Sequence, residues 1–329
     1  MRRARLFYNP QSGQRRGDPR AIAERVATVL REAGVEASIA ETLSSSEAGR
    51  QARDAVAEGC DAIFACGGDG TIQDLAQGLV GSSAGLAVIP LGTANVLAHD
   101  LGIPRDAVEA ARAALGAVPV RVSLGRVDCQ SSDGILVSRY FLSVAGAGQD
   151  GYLFHQVAPD DKRTFGIVVY FWKALWVWLA HRMRWFSVDI SATDAKQRQL
   201  VTQVLAVRLH DFGNLLRHLA PGASLLREDL RVVLFRTSSR WSYLLYVLRG
   251  ILGAEWTIPG IELCDASRIR LTPRGVDPIY LEADGELLGQ LPAEITLVPN
   301  ALTLLAPKDF AARRARPSGE TGRRGRLPL

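Results

Sequence analysis

The stretch Asp61-Ala62-Ile63-Phe64-Ala65-Cys66-Gly67-Gly68-Asp69-Gly70-Thr71 decides the fold. Residues 61–66 read as a buried strand. Three glycines follow within four positions, and a helical segment begins at Thr71. Glycine admits positive φ and lets another molecule approach the backbone closely. A glycine turn that opens a helix presents free N–H groups and the positive end of the helix dipole, which is a place to hold phosphate. Asp69 lies inside this turn. An acid beside phosphate makes sense if it meets a Mg²⁺ ion, orders water or bonds a hydroxyl. Taken alone, the motif is equally an ordinary strand–turn–helix link, so its neighbours must decide.

Outward from it, the pattern repeats. Residues 4–8 read as a strand that ends at Asn9-Pro10-Gln11-Ser12-Gly13, with Arg15 and Arg16 just behind. Pro19 and the spacing of Ile22, Val26, Val29 and Leu30 predict a helix. A strand over 35–40 leads to Glu41-Thr42, and 48–57 reads as a helix. Beyond the glycine turn, 71–79 is helical and 86–90 is a strand. It ends in a third turn, Leu91-Gly92-Thr93-Ala94-Asn95, which opens another helix. Strands alternating with helices predict a parallel sheet with helices on its faces. Ligands bind beyond the carboxyl ends of such strands, so three polar glycine-containing turns belong on one edge.

After about residue 120 the style changes. Strands are expected near 120–124, 140–145, 186–192, 200–209, 230–236, 269–271, 276–282, 295–298 and 302–305. Two helical segments, 164–182 and 239–252, interrupt them. The expected architecture is an α/β N-terminal domain with a parallel sheet, residues 1–122, and a mostly antiparallel β-sandwich domain, residues 123–306. Both helical segments are apolar nearly all round and aromatic. The first carries Trp172, Trp176 and Trp178 with Arg182 and Arg184 behind; the second runs Trp241-Ser242-Tyr243-Leu244-Leu245-Tyr246-Val247-Leu248-Arg249. Such faces suit an interfacial membrane contact. They equally suit a helix packed on the β domain.

The chain has 329 residues, 47% hydrophobic and 22% charged, which suffices for two ordinary cores. Its net charge of +5 is concentrated late, where Arg313, Arg314, Arg316, Arg323, Arg324 and Arg326 lie among Pro, Gly and Ser. Residues 307–329 read as a disordered basic tail, either solubilising or directed at an anionic surface. Cys60, Cys66, Cys129 and Cys264 have neither metal-ligand spacing nor disulfide density, as expected of reduced thiols in a cytoplasmic protein. The basic N-terminus runs into Asn9-Pro10 too early for a signal-peptide core. No stretch is long enough for a convincing membrane span.

Together the motifs resemble the diacylglycerol-kinase-type lipid kinases, a family that includes sphingoid-base kinases and bacterial soluble lipid kinases. The resemblance covers about residues 3–306. It rests on Asn9-Pro10-x-Ser12-Gly13, Gly67-Gly68-Asp69-Gly70-Thr71, Pro90-Leu91-Gly92-Thr93-Ala94-Asn95, Ala145-Gly146-Ala147-Gly148-Gln149-Asp150 and Asp284-Gly285-Glu286 in that order. It implies an active site in the cleft between two domains, ATP as phosphoryl donor with Mg²⁺, and a lipid hydroxyl as acceptor. Gly67, Gly68, Asp69, Gly70, Thr71, Ile72 and Gln73 match the phosphate-binding turn and the start of its helix. Thr42, Gly92, Thr93 and Asn95 match nucleotide contacts, and Asn9 and Ser12 match the turn that closes over the nucleotide. Glu286 matches the general base, with Asp284 and Asp69 as its acidic company. A structural Mg²⁺ site in bacterial members corresponds to Asp229, with the carbonyls of Leu226 and Arg231. The same likeness implies a cytoplasmic protein in peripheral contact with the inner face of the membrane, without a nucleic-acid partner. Whether it forms a homodimer is left open.

The chain departs from the family pattern at Val96 and Ser123, where many relatives carry an acid of the metal network, and at Ser143, where many carry Asn. Two other readings follow. One is a lipid-binding protein that kept the fold without catalysis, for which Val96 and Ser123 speak. The other is an NAD kinase, which shares the Gly-Gly-Asp-Gly turn but does not call for the Trp-rich segments.

Overall fold

The computed structural model describes residues 1–12, 17–149, 151–152, 183–191, 196–213, 219–254 and 256–314. The helical segment expected over 164–182 lies outside them, as do Gly13, Asp150 and residues 315–329 of the expected tail.

The first third is the predicted α/β layer. Strands β1 (Arg3–Tyr8), β2 (Glu36–Glu41), β3 (Ala62–Gly67) and β4 (Gly85–Pro90) lie in the order β4-β3-β1-β2, every pair parallel. All residues of β3 and β4 are buried, as strands covered on both faces must be. Helix α1 (Pro19–Glu32) starts where the Asp18 side chain accepts the Arg20 N–H and Pro19 supplies a helical φ. Its apolar stripe, Ile22, Val26 and Leu30, packs with α5 (Ala107–Leu115) on the face formed by Leu6, Phe64 and Ile89. Helix α2 (Ser45–Ala57), capped by Ser44, and α3 (Asp69–Leu79) cover the other face, against Phe7, Ile63 and Val88. The short α4 (Val96–Leu101) packs Leu97, Ala98 and Leu101 into the same core as α2 and α3.

The remainder is antiparallel. Strands β5 (Val118–Gln130), β6 (Leu136–Phe141), β7 (Val144–Ala147), β8 (Phe186–Ser191), β9 (Lys196–Val201) and β10 (Gln203–Val207) are followed by β11 (Leu230–Phe235) and β12 (Ile261–Ala266). β13 (Arg268–Pro273), β14 (Tyr280–Ala283) and β15 (Glu286–Ala306) complete the set. One layer runs β12-β11-β10-β7-β14-β15, and the other continues from β15 through β13 to β8 and β9 and through β5 to β6. Val204, Val232, Leu234 and Leu281 of the first layer bury against Phe141, Phe186, Val188 and Ile269 of the second. This is the expected β-sandwich.

The sequence reading treats residues 302–305 as the closing strand of the β domain. Instead, the end of β15 reaches into the α/β layer, where Thr303 and Leu304 pair in parallel with Gly85 and Leu86 of β4. The same residues pair with β5 on their other side. The two halves therefore share one continuous hydrogen-bonded sheet.

Two helices follow late in the chain. α6 (Arg240–Leu252) begins at the cap Ser239, as the sequence suggests, and lays Tyr243 and Tyr246 on Phe235. The tail differs from expectation at its start. Residues Lys308–Arg314 form α7, because Phe310 is an apolar anchor that buries in the α/β core. Among the described residues, no helix is long and apolar enough to cross a membrane.

Candidate active site

The three glycine-containing turns meet at the carboxyl edge of β1, β3 and β4. The helix that opens the middle turn, α3, is capped by Gly68 and by no side chain. Its first-turn N–H groups are thus left for a ligand. The turn is tight enough to demand glycine. A Cβ on Gly67 would stand 2.5 Å from the Thr71 side chain, and one on Gly92 would stand 2.6 Å from the Gly68 Cα. The middle and third turns therefore touch backbone to backbone. Gly70, by contrast, faces open space.

Side chains knit these turns together. Asn9 donates its N–H to the Cys66 carbonyl at 3.3 Å and its Nδ2 to Thr71 Oγ1 at 3.3 Å. Its own carbonyl and Oδ1 accept the N–H groups of Ser12 and Gln11. Thr42 bonds the Tyr8 carbonyl from its N–H at 2.9 Å. Asn95 adopts φ +49° and brackets the third turn, accepting the Gly92 N–H at 2.8 Å and donating to the Gly92 carbonyl at 2.7 Å. Thr93 at its tip is exposed. Asp69 Oδ1 accepts the Val96 N–H at 2.7 Å, so the acid of the middle turn caps α4. Burial raises the Asp69 pKa, and the N–H groups of Val96, Leu97 and Asn95 oppose the rise. Ile72 is core, and Gln73 is buried with its amide donated to the Tyr140 carbonyl.

Asp284-Gly285 forms the turn between β14 and β15, with φ of +49° and +83°. Two positive-φ residues are what a tight hairpin turn of this hand requires, and Asp-Gly supplies them at little cost. The Asp284 carboxylate is wholly engaged. It accepts the N–H groups of Leu142 at 2.8 Å, Ser143 at 2.8 Å and Val144 at 3.0 Å. Burial nevertheless pushes its carboxyl up to about 6. Glu286, two residues on, has its side chain 40% exposed and meets Arg139 Nη2 at 2.8 Å.

Three residues that the motif reading passed over complete this seam. Arg139 Nη2 also meets Asp74 Oδ1 at 2.8 Å, and the Asp74 side chain is only 7% exposed. Gln77 clamps the backbone of Tyr140, donating to its carbonyl at 2.9 Å and accepting its N–H at 3.0 Å. Burial raises the Asp74 pKa first, the charge of Glu286 raises it further, and Arg139 opposes both. The available signal was an acid set among core residues, at Asp74 between Ile72 and Leu75.

Near Asp229 the donors are of a different kind. Its carboxylate is held by Arg227 through both oxygens, at 2.5 and 2.8 Å. Arg231 pairs with Asp265 at 2.8 Å. Arg208, fully buried, donates to the carbonyls of Ser123, Leu225, Arg227 and Asp229. Burial lowers its pKa to about 10. Of the three groups expected to hold a cation there, the Asp229 carboxylate is thus paired on both oxygens with the Arg227 guanidinium. Among the described residues, no cluster of three or more His, Cys, Asp or Glu side chains could hold a metal.

Known proteins share this plan. Residues 3–127 match the family model described as the diacylglycerol kinase catalytic domain, and residues 143–306 match the YegS C-terminal NAD kinase beta sandwich-like domain. A diacylglycerol kinase of Bacillus subtilis is 28% identical over 317 residues, covering 94% of this chain and 98% of its own. One from Mycobacterium tuberculosis is 28% identical over 260 residues, covering 77% of this chain and 79% of its own. Among solved structures, a diacylglycerol kinase from Bacillus anthracis superposes with a TM-score of 0.68 at 19% identity, covering 94% of this chain and 98% of that one. The yeast NADH kinase bound to NADH gives 0.51 at 13% identity, covering 100% and 90%. At these identities the solved structures speak for the fold alone.

Proposed function

The chain belongs to the diacylglycerol-kinase-type family of lipid kinases, and on that premise we propose that it transfers the γ-phosphate of ATP, with Mg²⁺, to a lipid hydroxyl. One observation carries the reading. Helix α3 bears an uncapped glycine cradle at its N-terminus and Asp74 further along, and Arg139 links Asp74 to Glu286. Phosphate-binding backbone and a solvent-reachable carboxylate are thereby built into one unit.

Phosphoryl transfer needs positioning and charge neutralisation more than covalent help. The N–H groups at Gly68, Asp69 and Gly70 receive the phosphates. Asn9, Thr42, Thr93 and Asn95 shape the rest of the nucleotide site. Asp69 is the acid beside the cradle that would face Mg²⁺, which neutralises phosphate charge when bound. Glu286 takes the proton of the acceptor hydroxyl as that oxygen bonds to the γ-phosphorus and the bond to the ADP oxygen breaks. A positioned base of this kind contributes on the order of 10²–10⁴ in rate. Asp284 acts through the backbone, holding the Leu142–Val144 segment beside the turn.

The same reading places the protein at a membrane surface. The outward stripe of α6, Trp241, Leu245, Leu248, Ile251 and Leu252, is exposed, with Trp241 at 70% and Leu252 at 67%. Arg240 at its start is exposed, Arg249 is buried against Tyr246, and the helix has no acid. An apolar stripe on an acid-free helix suits an anionic bilayer.

The test is transfer of labelled γ-phosphate from ATP, with Mg²⁺, to diacylglycerol, a sphingoid base and NAD in separate reactions, with Glu286→Gln alongside. Label on a lipid with the wild type alone supports the reading and selects the acceptor. Label on NAD, or on no acceptor while ATP still binds, overturns it.

A further inference from the structure

Arg139 is engaged in a way that the motif pattern does not anticipate. Its single Nη2 is shared between Asp74 on α3 and Glu286 at the start of β15, at 2.8 Å each. Its Nε is buried with no hydrogen-bond partner. The two carboxylates are therefore the ion-pair partners that orient the guanidinium. Asp74 is nearly buried, so its charge is strongly driven to keep that partner. Glu286 is different. It follows a hairpin turn and is 40% exposed, so by itself it would sample several rotamers. Ordering such a side chain costs conformational entropy. Asp74 lies five residues into α3, about 7.5 Å along the axis from the cradle at 1.5 Å per residue.

We propose that Arg139 is a positioning residue for phosphoryl transfer: it fixes the Glu286 carboxylate in its working rotamer and ties it, through Asp74, to the helix that cradles the phosphates. The proposal rests on Glu286 being the base. The chain of contacts crosses from the α/β layer to the β-sandwich, so base and cradle keep their separation only while the Gln73–Gln77–Tyr140 seam is closed. A misplacement of about 1 Å at such a site costs on the order of 10²-fold in rate.

The charges around Glu286 make the role separable from simple support. Arg139 faces it from β6 and Asp74 from α3. Across the turn, the Asp284 carboxylate is engaged with the backbone of residues 142–144, and Glu282 accepts the Gly285 N–H. Those two acids are common to every variant, so differences between variants report Arg139 and Asp74. Removing a neighbouring cation raises a carboxylate pKa, and removing a neighbouring anion lowers it.

The experiment compares the full chain with Arg139→Gln, Arg139→Lys, Asp74→Asn and Glu286→Gln in the lipid phosphorylation assay across pH, with ATP affinity measured separately. Arg139→Gln is expected to lower kcat by roughly 10²-fold with ATP affinity within about twofold. Its acid limb should move to higher pH, and that of Asp74→Asn to lower pH. Arg139→Lys should recover part of kcat, since Lys keeps the charge but not the fork. If the Arg139 variants do not fold, as judged by circular dichroism, the downward shift in Asp74→Asn still decides, and an unmoved limb overturns the proposal. An inactive Glu286→Gln beside an Arg139→Gln of wild-type kcat overturns the proposal alone. Full turnover by Glu286→Gln overturns the assignment of the base and the proposal with it.

Discussion

Replacing Asp284 by Asn tests whether its carboxylate is a buried charge held by the backbone. In the wild type three N–H groups converge on it, yet burial lifts its carboxyl from an ordinary 3.8 to about 6. A folded-state pKa raised above the unfolded value means that the folded protein binds the proton more tightly. The associated stability is fully present below the unfolded pKa and is lost as pH rises through the folded one. A shift of about 2 units corresponds to about 3 kcal/mol, roughly half of it lost between pH 5 and pH 8. Asparagine cannot ionise, so the mutant loses this dependence. It also turns an NH₂ group toward a backbone N–H and leaves one donor unmet, at a cost of about 1–3 kcal/mol. The mutant should therefore be much less stable than the wild type at pH 5, and the gap should narrow by about 1–2 kcal/mol by pH 8. Urea unfolding followed by tryptophan fluorescence at both pH values measures this. A gap that stays constant, or widens with pH, would refute the claim that the carboxylate is desolvated.

Three further outcomes follow from the structure. Gly92→Ala forces a Cβ to 2.6 Å from the Gly68 Cα, so it should destabilise the chain by about 1–3 kcal/mol and weaken ATP binding at least tenfold, read by calorimetry; unchanged affinity would separate the third turn from the nucleotide site. Arg208→Met strips four carbonyls of their donor and should cost roughly 3–5 kcal/mol, while excess EDTA should leave the melting temperature of the wild type unchanged; a Mg²⁺-dependent rise that disappears in Asp229→Asn would show a cation bound near Asp229. Changing Trp241 and Leu248 together to Asp should weaken sedimentation with phosphatidylglycerol vesicles by more than tenfold, since each buried side chain is worth about 1.5–3 kcal/mol; equal binding would remove α6 from the membrane contact.

Much of the site was legible because its chemistry is local. A glycine that must approach another backbone leaves its mark in the sequence, and so does a strand that ends in a polar turn before a helix. That is why Asn9, Gly67, Gly68, Thr71, Gly92 and Asn95, read from three separate turns, stand together along one sheet edge. Asp284 was legible only in part. Asp-Gly announced the hairpin, but nothing local revealed that its carboxylate would be engaged by N–H groups some 140 positions earlier. Arg139 was invisible for the same reason, since an arginine in an alternating strand reads as a solvated face until its partner on α3 is known.

By itself, then, the sequence determined the order of elements, the parallel α/β layer, the antiparallel layer after it and the three polar turns at one sheet edge. Periodicity, capping and glycine sterics act within a few residues, and the chain records them directly. Tertiary structure alone decided where those pieces meet. It carried the end of β15 back to β4, linked Asp74 to Glu286 through Arg139, and paired the Asp229 carboxylate with Arg227. The first two depend on contacts between residues far apart in the chain, and such contacts are selected by burial and charge pairing in the assembled fold.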